Sequence, residues 1–277
     1  MPKVTFNREL KMYDRNKLVL NTVRMLLDGD ELKLSRISAQ SGVSRDTASV
    51  VLEELLDLGM LERGSGYRLS KSFCPLVLRV SDNEAYITVY DVGKGICERH
   101  TAPFSYALSR GDNIMLACSA LNNYRLSLAG NGVDAICCFV YDDTSGGARI
   151  LPDIFLASAR VEDIVALELL RDGEGSCMFI SDVAFMCAEG KSVSATQRTP
   201  SDKSLYVSRL LECIRPLRIV VEGEGSDGVI SVCREKNVRC EAWESDGSLT
   251  RLEKYIIAQA AANFAAELRE KKEKTGR

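Results

Sequence analysis

A chain of 277 residues is long for one core and suits two or three units. Its 45% hydrophobic and 27% charged content excludes long disorder, while a formal net charge of −3 says little about partners. No run of about 18 apolar residues occurs, and the N-terminus MPKVTFNREL has no hydrophobic signal region, so a soluble, cytoplasmic protein with no membrane partner is expected. The ten cysteines show no C-x-x-C spacing, Cys137 and Cys138 are neighbours in an apolar run, and His100 is the single histidine. A zinc site is therefore not expected, and the cysteines read as small buried hydrophobes.

In chain order, residues 1–24 carry six basic residues against Glu9 and Asp14, an arm that can lie along a DNA backbone or stand solvated. Asp14 to Leu27 predicts a helix with Leu18, Val19, Thr22, Val23, Leu26 and Leu27 as its apolar stripe. Ser35 is the expected cap of a second helix over Arg36 to Gln40. After the turn Ser41-Gly42-Val43, Ser44 is the expected cap of a third, in which Ala48, Val51, Leu52, Leu55 and Leu58 recur on one face. Gly59 is expected to end that helix in a left-handed conformation. Glu62 to Leu69 then reads as two short strands about a Gly-Ser-Gly turn, with an arginine on each side.

Helix, glycine turn, capped helix and hairpin in this order resemble a winged helix-turn-helix domain over residues 1–70. The resemblance implies that the third helix enters a DNA major groove. Ser44, Arg45, Thr47 and Ser49 would touch the groove, and Ser35, Arg36, Arg63 and Arg68 the backbone or the minor groove. The plain alternative is a three-helix packing module without nucleic acid. Residues 1–70 hold eleven Lys/Arg and ten Asp/Glu, so a positive surface must come from how those charges are distributed.

Residues 71–75 read as a linker, broken by Pro75. Leu76–Val80, Tyr86–Tyr90 and Ile96–Glu98 then predict an antiparallel meander. Helices are expected over Asp112–Leu128, Val161–Leu170, Val183–Glu189, Leu205–Ile214, Gly228–Lys236 and Leu249–Arg269. Strands are expected over Val133–Tyr141, Cys177–Ile180, Leu217–Val221 and Val238–Trp243, with residues 189–203 a loop. Strands alternating with helices after a meander predict an α/β unit over residues 76–277.

Four stretches carry a further resemblance: Leu78 to His100, Ile150 to Asp182, Ser181-Asp182-Val183-Ala184 with Ala188-Glu189, and Ile214 to Gly225. By these, residues 76–277 resemble a shrunken member of the ROK family, repressors and sugar kinases with an actin-like ATPase fold. The N-terminal helices are similar to the winged helix that precedes this domain in the family's regulators. The resemblance implies a phosphate loop at Ser81-Asp82-Asn83-Glu84-Ala85, yet no glycine stands there and Glu84 repels phosphate. It implies a general base at Asp182, which can instead cap the following helix. It implies an adenosine-side loop at Glu222-Gly223-Glu224-Gly225, whose carboxylates oppose a nucleotide phosphate. The zinc segment and second phosphate loop have no counterpart between Glu189 and Leu205.

With these elements altered together, phosphoryl transfer has no evident source of charge stabilisation. The expectation is a non-enzymatic relic of a kinase, without cofactor or metal, serving oligomerisation or effector sensing, with any small-molecule effector pocket near Asp182. The whole chain then reads as a DNA-binding transcriptional regulator, a repressor acting as a homodimer on a palindromic double-stranded operator with half-sites one helical turn apart. Two other readings are a sugar or small-molecule kinase with Asp182 as base, and a structural protein using the Ile256–Phe264 face as an interface.

Overall fold

The computed structural model describes residues 12–28, 31–81, 83–141, 153–161, 163–165, 176–181, 185–189, 192–196, 202–223, 225–242 and 249–274. Three helices, α1 (Met12–Asp28), α2 (Leu34–Ser41) and α3 (Arg45–Asp57), lead into an antiparallel hairpin of β1 (Leu61–Arg63) and β2 (Tyr67–Leu69). The expected stripe of α1 is the buried one, with Val19, Thr22 and Val23 fully enclosed. Ser35, however, does not cap α2. Leu32 is tied to β2 by two backbone bonds with Tyr67, of 2.9 and 2.8 Å, so the chain turns into the helix at once. Lys33 takes the cap position without a side-chain bond, and Ser35 is an exposed residue of the first turn. Gly42 ends α2 at φ +67°, and Gly59 follows α3 at φ +73°, conformations that a Cβ would strain.

Five strands follow in the order β5-β4-β3-β6-β7: β3 (Phe73–Val80), β4 (Glu84–Asp91), β5 (Ile96–Pro103), β6 (Asp134–Tyr141) and β7 (Phe155–Arg160). Pro75 thus lies inside a strand and breaks nothing. The antiparallel ladder to β4 begins only at Leu76, so the proline sits just ahead of it, near the strand's start, where its missing N–H is tolerated. Alternation along β3 sorts two cores. Cys74, Leu76, Leu78 and Val80 meet α4 (Arg110–Gly130), while Phe73 and Val77 join the core around the last helix.

A second sheet has the order β10-β9-β8-β11-β12. Its strands are β8 (Ser176–Ile180), β9 (Phe185–Glu189), β10 (Ser192–Thr196), β11 (Arg218–Val221) and β12 (Arg239–Ala242), with α5 (Lys203–Cys213) and α6 (Ser226–Glu235) between them in sequence. It repeats the first sheet's plan: an antiparallel meander whose first strand then takes two successive parallel neighbours. Three expectations are corrected here. Residues 185–189 form a strand and not a helix, β10 occupies part of the expected loop, and β7 appears where no element was foreseen. Of the helix expected at 161–170, residues 161 and 163–165 are helical, and the others lie outside the described residues, as do residues 1–11 and Trp243.

The final helix, α7 (Arg251–Lys274), lies at the centre. Its Ile256, Ile257, Ala258, Ala260, Ala261 and Ala265 are fully enclosed, so the Ile256–Phe264 stretch is core and not an outer interface. Thr250 and Glu253 form a capping box: Glu253 N donates to Thr250 Oγ1 at 3.1 Å and Thr250 N to Glu253 Oε2 at 2.7 Å. Glu253 also accepts from Thr88 of β4 at 2.6 Å and Arg99 of β5 at 2.8 Å, tying α7 to the first sheet. On its other side α7 packs along α1, with Lys254 reaching Asp28 at 2.7 Å. All ten cysteines are free thiols; most are buried, but Cys187 and Cys240 are half-buried and Cys213 is exposed, contrary to the uniform reading.

Candidate nucleic-acid interface

The first turn of α3 is built by its cap. Thr47 N donates to Ser44 Oγ at 3.1 Å, and the two hydroxyls lie 2.9 Å apart. This fixes the backbone that presents Arg45 and Asp46 to solvent, while Ala48 is fully buried beneath them. Ser49, one turn on from Arg45, borders a groove shared with Arg15, Glu53, Glu54, Asp57 and Arg269. In that groove Arg15 and Arg269 both hold Glu54, the latter at 2.5 Å, pinning α3 to α1 and α7 together. Beyond Ser49, Glu54 is held by Arg15 and Arg269 and Glu53 by Arg63, so the charges along this part of α3 are already engaged, whereas Arg45 in the first turn is exposed.

The hairpin does not bring its two arginines together. Cross-strand pairs share a face and successive residues alternate. Arg63, opposite Tyr67, therefore lies on the face of Leu61 and Leu69 that packs toward the helices, where its guanidinium meets Glu53 of α3 at 3.1 Å and stacks 5.4 Å from the Tyr67 ring. Arg68, opposite Glu62, points from the other face and is held by that carboxylate at 2.9 Å. The backbone N–H of Lys71 and the Arg68 pairing keep the Glu62 carboxyl below its usual range despite some desolvation. Arg68 borders a cavity of about 270 Å³ with Leu26, Glu31, Lys71, Tyr90 and Lys94. Lys71 and Lys94 are basic groups that the sequence reading passed over; the signal for Lys94 was its place in the β4–β5 turn. Ser35 and Arg36 stand exposed on the first turn of α2.

Glu31, between α1 and α2, sets the shape of the hairpin tip. It accepts from Ser65 Oγ at 2.8 Å and from the Gly66 backbone N–H, bonds that hold its carboxyl below the usual range. A Cβ on Gly66 would stand 2.6 Å from the Leu32 carbonyl oxygen, and one on Gly64 2.7 Å from Glu31 Oε1. Gly66 is thus required by its close approach to the Leu32 backbone, whereas at Gly64 the neighbour is the end of the Glu31 side chain, which can shift.

In the α/β part, the end of β3 meets the loop that follows β11. What joins them is an ion pair: both terminal nitrogens of Arg79 on β3 donate to the Glu222 carboxylate, at 3.2 and 3.3 Å. Glu222 is 1% exposed, and buried Lys203 donates to its backbone carbonyl at 3.0 Å. Glu84 is engaged by the Tyr86 hydroxyl, and Ser81 N closes the turn onto the Glu84 carbonyl at 3.0 Å. Asp182, Asp82 and Glu224 lie outside the described residues. Arg79 was missed in sequence; a lone charge within the apolar run Phe73–Val80 was its signal. Among the described residues no group of His, Cys, Asp and Glu could hold a metal ion, and no helix is long and apolar enough to cross a membrane.

No family model and no curated protein matches the chain. Solved structures do. An activator of 2-hydroxyisocaproyl-CoA dehydratase from Clostridium difficile, with bound ADPNP, is 9% identical over 72% of this chain and 97% of its own, with a TM-score of 0.43. A Bacteroides thetaiotaomicron protein with an actin-like ATPase fold is 9% identical over 67% and 96%, with a TM-score of 0.41. A ROK family transcriptional regulator, a homologue of the E. coli MLC protein, covers 91% of this chain and 99% of its own at 8% identity, with a TM-score of 0.51. Such identities carry the fold alone: this is a mixed α/β protein similar in overall architecture to a ROK family transcriptional regulator.

Proposed function

We propose that the chain is a DNA-binding transcriptional regulator, a repressor in which residues 1–70 act as a winged helix-turn-helix and residues 76–277 as a non-catalytic, kinase-like unit for oligomerisation or effector sensing. The observation that carries this reading is the first turn of α3. Its Ser44 cap holds Arg45 outward, while Arg63 flanks the same helix from the hairpin. A helix so presented offers a guanidinium to a guanine edge and a capped N-terminus to a phosphate. Arg68, Lys71 and Lys94 supply charge on the far side of the hairpin, where exposed ion pairs exchange readily for phosphate contacts. Two copies would read an inverted repeat whose half-sites lie a whole number of turns apart.

What supports the non-catalytic part of the proposal is that Glu222, in the loop the resemblance assigns to the nucleotide, is a buried carboxylate paired with Arg79. An effector pocket near Asp182 belongs to the same proposal. The test is recovery of fragmented genomic DNA on the purified protein at about physiological salt, where non-specific contacts weaken. A few sequences sharing an inverted repeat are expected. Arg45→Ala should then lower affinity by about 1–3 kcal/mol and relax preference at one position, whereas Arg68→Ala should weaken all DNA alike. Equal binding by both variants and the parent would sink the assignment. ATP turnover abolished by Asp182→Asn would instead establish the kinase alternative.

A further inference from the structure

The second sheet brings two thiols together at its edge. β11 and β12 pair with Ile219 opposite Cys240, and β8 and β11 with Met178 opposite Ile219, so these three side chains share a face. That face is the one packed by α6, whose Cys233 closes the same core. After α6 the chain reverses through Asn237 at φ +59°, and the Val238 N–H donates to the Cys233 carbonyl at 2.8 Å. Two residues further on, Cys240 lies against Cys233, and its S–H donates to the Cys233 sulfur.

Other cysteines are placed differently. Cys137 and Cys138 are adjacent in sequence but face opposite cores across β6. Cys187 shares the face of Cys240, yet β8 and β11 lie between them, a gap of about 14 Å at three strand spacings. Burial pushes the thiols of Cys74, Cys97 and Cys118 up to about 11 and that of Cys137 to about 12. At Cys233 the bond from Cys240 outweighs burial and lowers the thiol pKa. Cys233 is fully enclosed, whereas Cys240, on a strand that ends the sheet, is half-buried and reaches solvent.

We propose that Cys233 and Cys240 are a reversible oxidation site, closing a disulfide between α6 and β12 by exchange with a low-molecular-weight disulfide. Loss of one proton to solvent leaves the other bridging the two sulfurs. Cys240, the one within reach, attacks the small disulfide as the bridging proton passes to Cys233. A bond forms to the Cys240 sulfur, the small S–S bond breaks and one thiolate leaves. Cys233 then gives up its proton and attacks the Cys240 sulfur, expelling the second small thiolate. Two protein S–H groups are thereby oxidised to one S–S bond, and the small disulfide takes up both electrons and both protons as two thiols. The bond spans only seven positions, and so short a loop stabilises less than a long one, which suits a switch better than a staple. Because α6 begins just after the Glu222 loop, fastening its far end stiffens the helix that leads out of that loop. The site is independent of DNA binding.

The test treats the reduced full chain with excess glutathione disulfide, blocks the remaining thiols with N-ethylmaleimide in mildly acidic denaturant, and maps the peptides by mass spectrometry. The expected product is a Cys233–Cys240 cross-link without retained glutathione, reversed by dithiothreitol. Hydrogen exchange at amides 226–242 should slow on oxidation while amides of β3 stay unchanged. Cys240→Ser, at a half-buried position, should abolish the link and leave circular dichroism unchanged. Cys233→Ala should instead trap glutathione on Cys240 as a mixed disulfide. Glutathione confined to Cys213, or N-ethylmaleimide on both Cys233 and Cys240 after prolonged exposure, overturns the proposal. So does a link that appears only in urea, where all ten thiols scramble, since the folded geometry would then contribute nothing. Unchanged exchange along α6 in the linked protein overturns the stiffening.

Discussion

The two sheets share one strand order but differ in how they announce themselves. In the first, β3, β4, β5 and β6 each run eight residues, long enough for a period of two to emerge and for four side chains to reach each face. In the second, no strand exceeds five residues. Phe185-Met186-Cys187-Ala188-Glu189 is rich in helix formers, and of its described side chains Phe185 and Cys187 are half-buried and Met186 is buried. Five such residues fit a helix turn as well as a strand. What makes them a strand is β8, which offers an antiparallel partner from Ile180↔Phe185 to Ser176↔Glu189. Strand character here is a property of the neighbour, not of the segment.

If the two sheets are halves of one structure, damage to either should be felt by both. The largest effect is expected from the fully enclosed aromatics. Phe139→Ala in the first sheet and Phe179→Ala in the second should each cost about 3–5 kcal/mol in denaturant unfolding. Both should keep a single transition, because each sheet turns one face to the core around α7; two separated transitions in the Phe179 variant would break the comparison. Next in size is the Arg79 tie between β3 and the end of β11. Arg79→Ala should cost about 3 kcal/mol by leaving Glu222 buried without its guanidinium, and adding Glu222→Gln should recover much of that loss. Strict additivity of the two changes would show that the sheets are not joined there.

The smallest effect sharpens the contrast between core and edge. Glu31 is ionised more readily in the fold than its ordinary value of 4.5, because Ser65 and Gly66 donate to its carboxylate. Its contribution is therefore complete above pH 4.5 and is lost as pH falls through the lower folded value. Hydrogen exchange at the Gly66 amide should accelerate in that acid window while amides of β3 stay protected. Uniform acceleration would mean that the tip does not open by itself.

Within the candidate interface, the parts written locally were legible and the rest were not. The Ser44 cap, the turn at Gly42 and the left-handed Gly59 depend on neighbours within a few residues, whereas the Gly-Ser-Gly tip, though readable as a turn, takes its shape from Glu31, 34 positions from Ser65. Ser35 failed as a cap because a distant strand, through Tyr67, set where α2 begins. Arg63 and Arg68 looked equivalent in sequence, but strand alternation sends them to opposite faces. The pair of Arg79 with Glu222 spans 143 positions, and that of Thr88 with Glu253 spans 165, beyond the reach of any spacing rule. The Thr250-x-x-Glu253 box, by contrast, was there to be read.

The packing of α1 against α7 has a consequence for synthesis. α1 leaves the ribosome well before α7, with more than two hundred residues between them, yet both line the same core. A nascent chain that has emerged only as far as the hairpin has made α3 and its cap but lacks the wall on which α1 rests. Closure of that core must wait for α7, so the part of the α1 surface that α2, α3 and β2 do not cover stays open to chaperones until that helix has emerged.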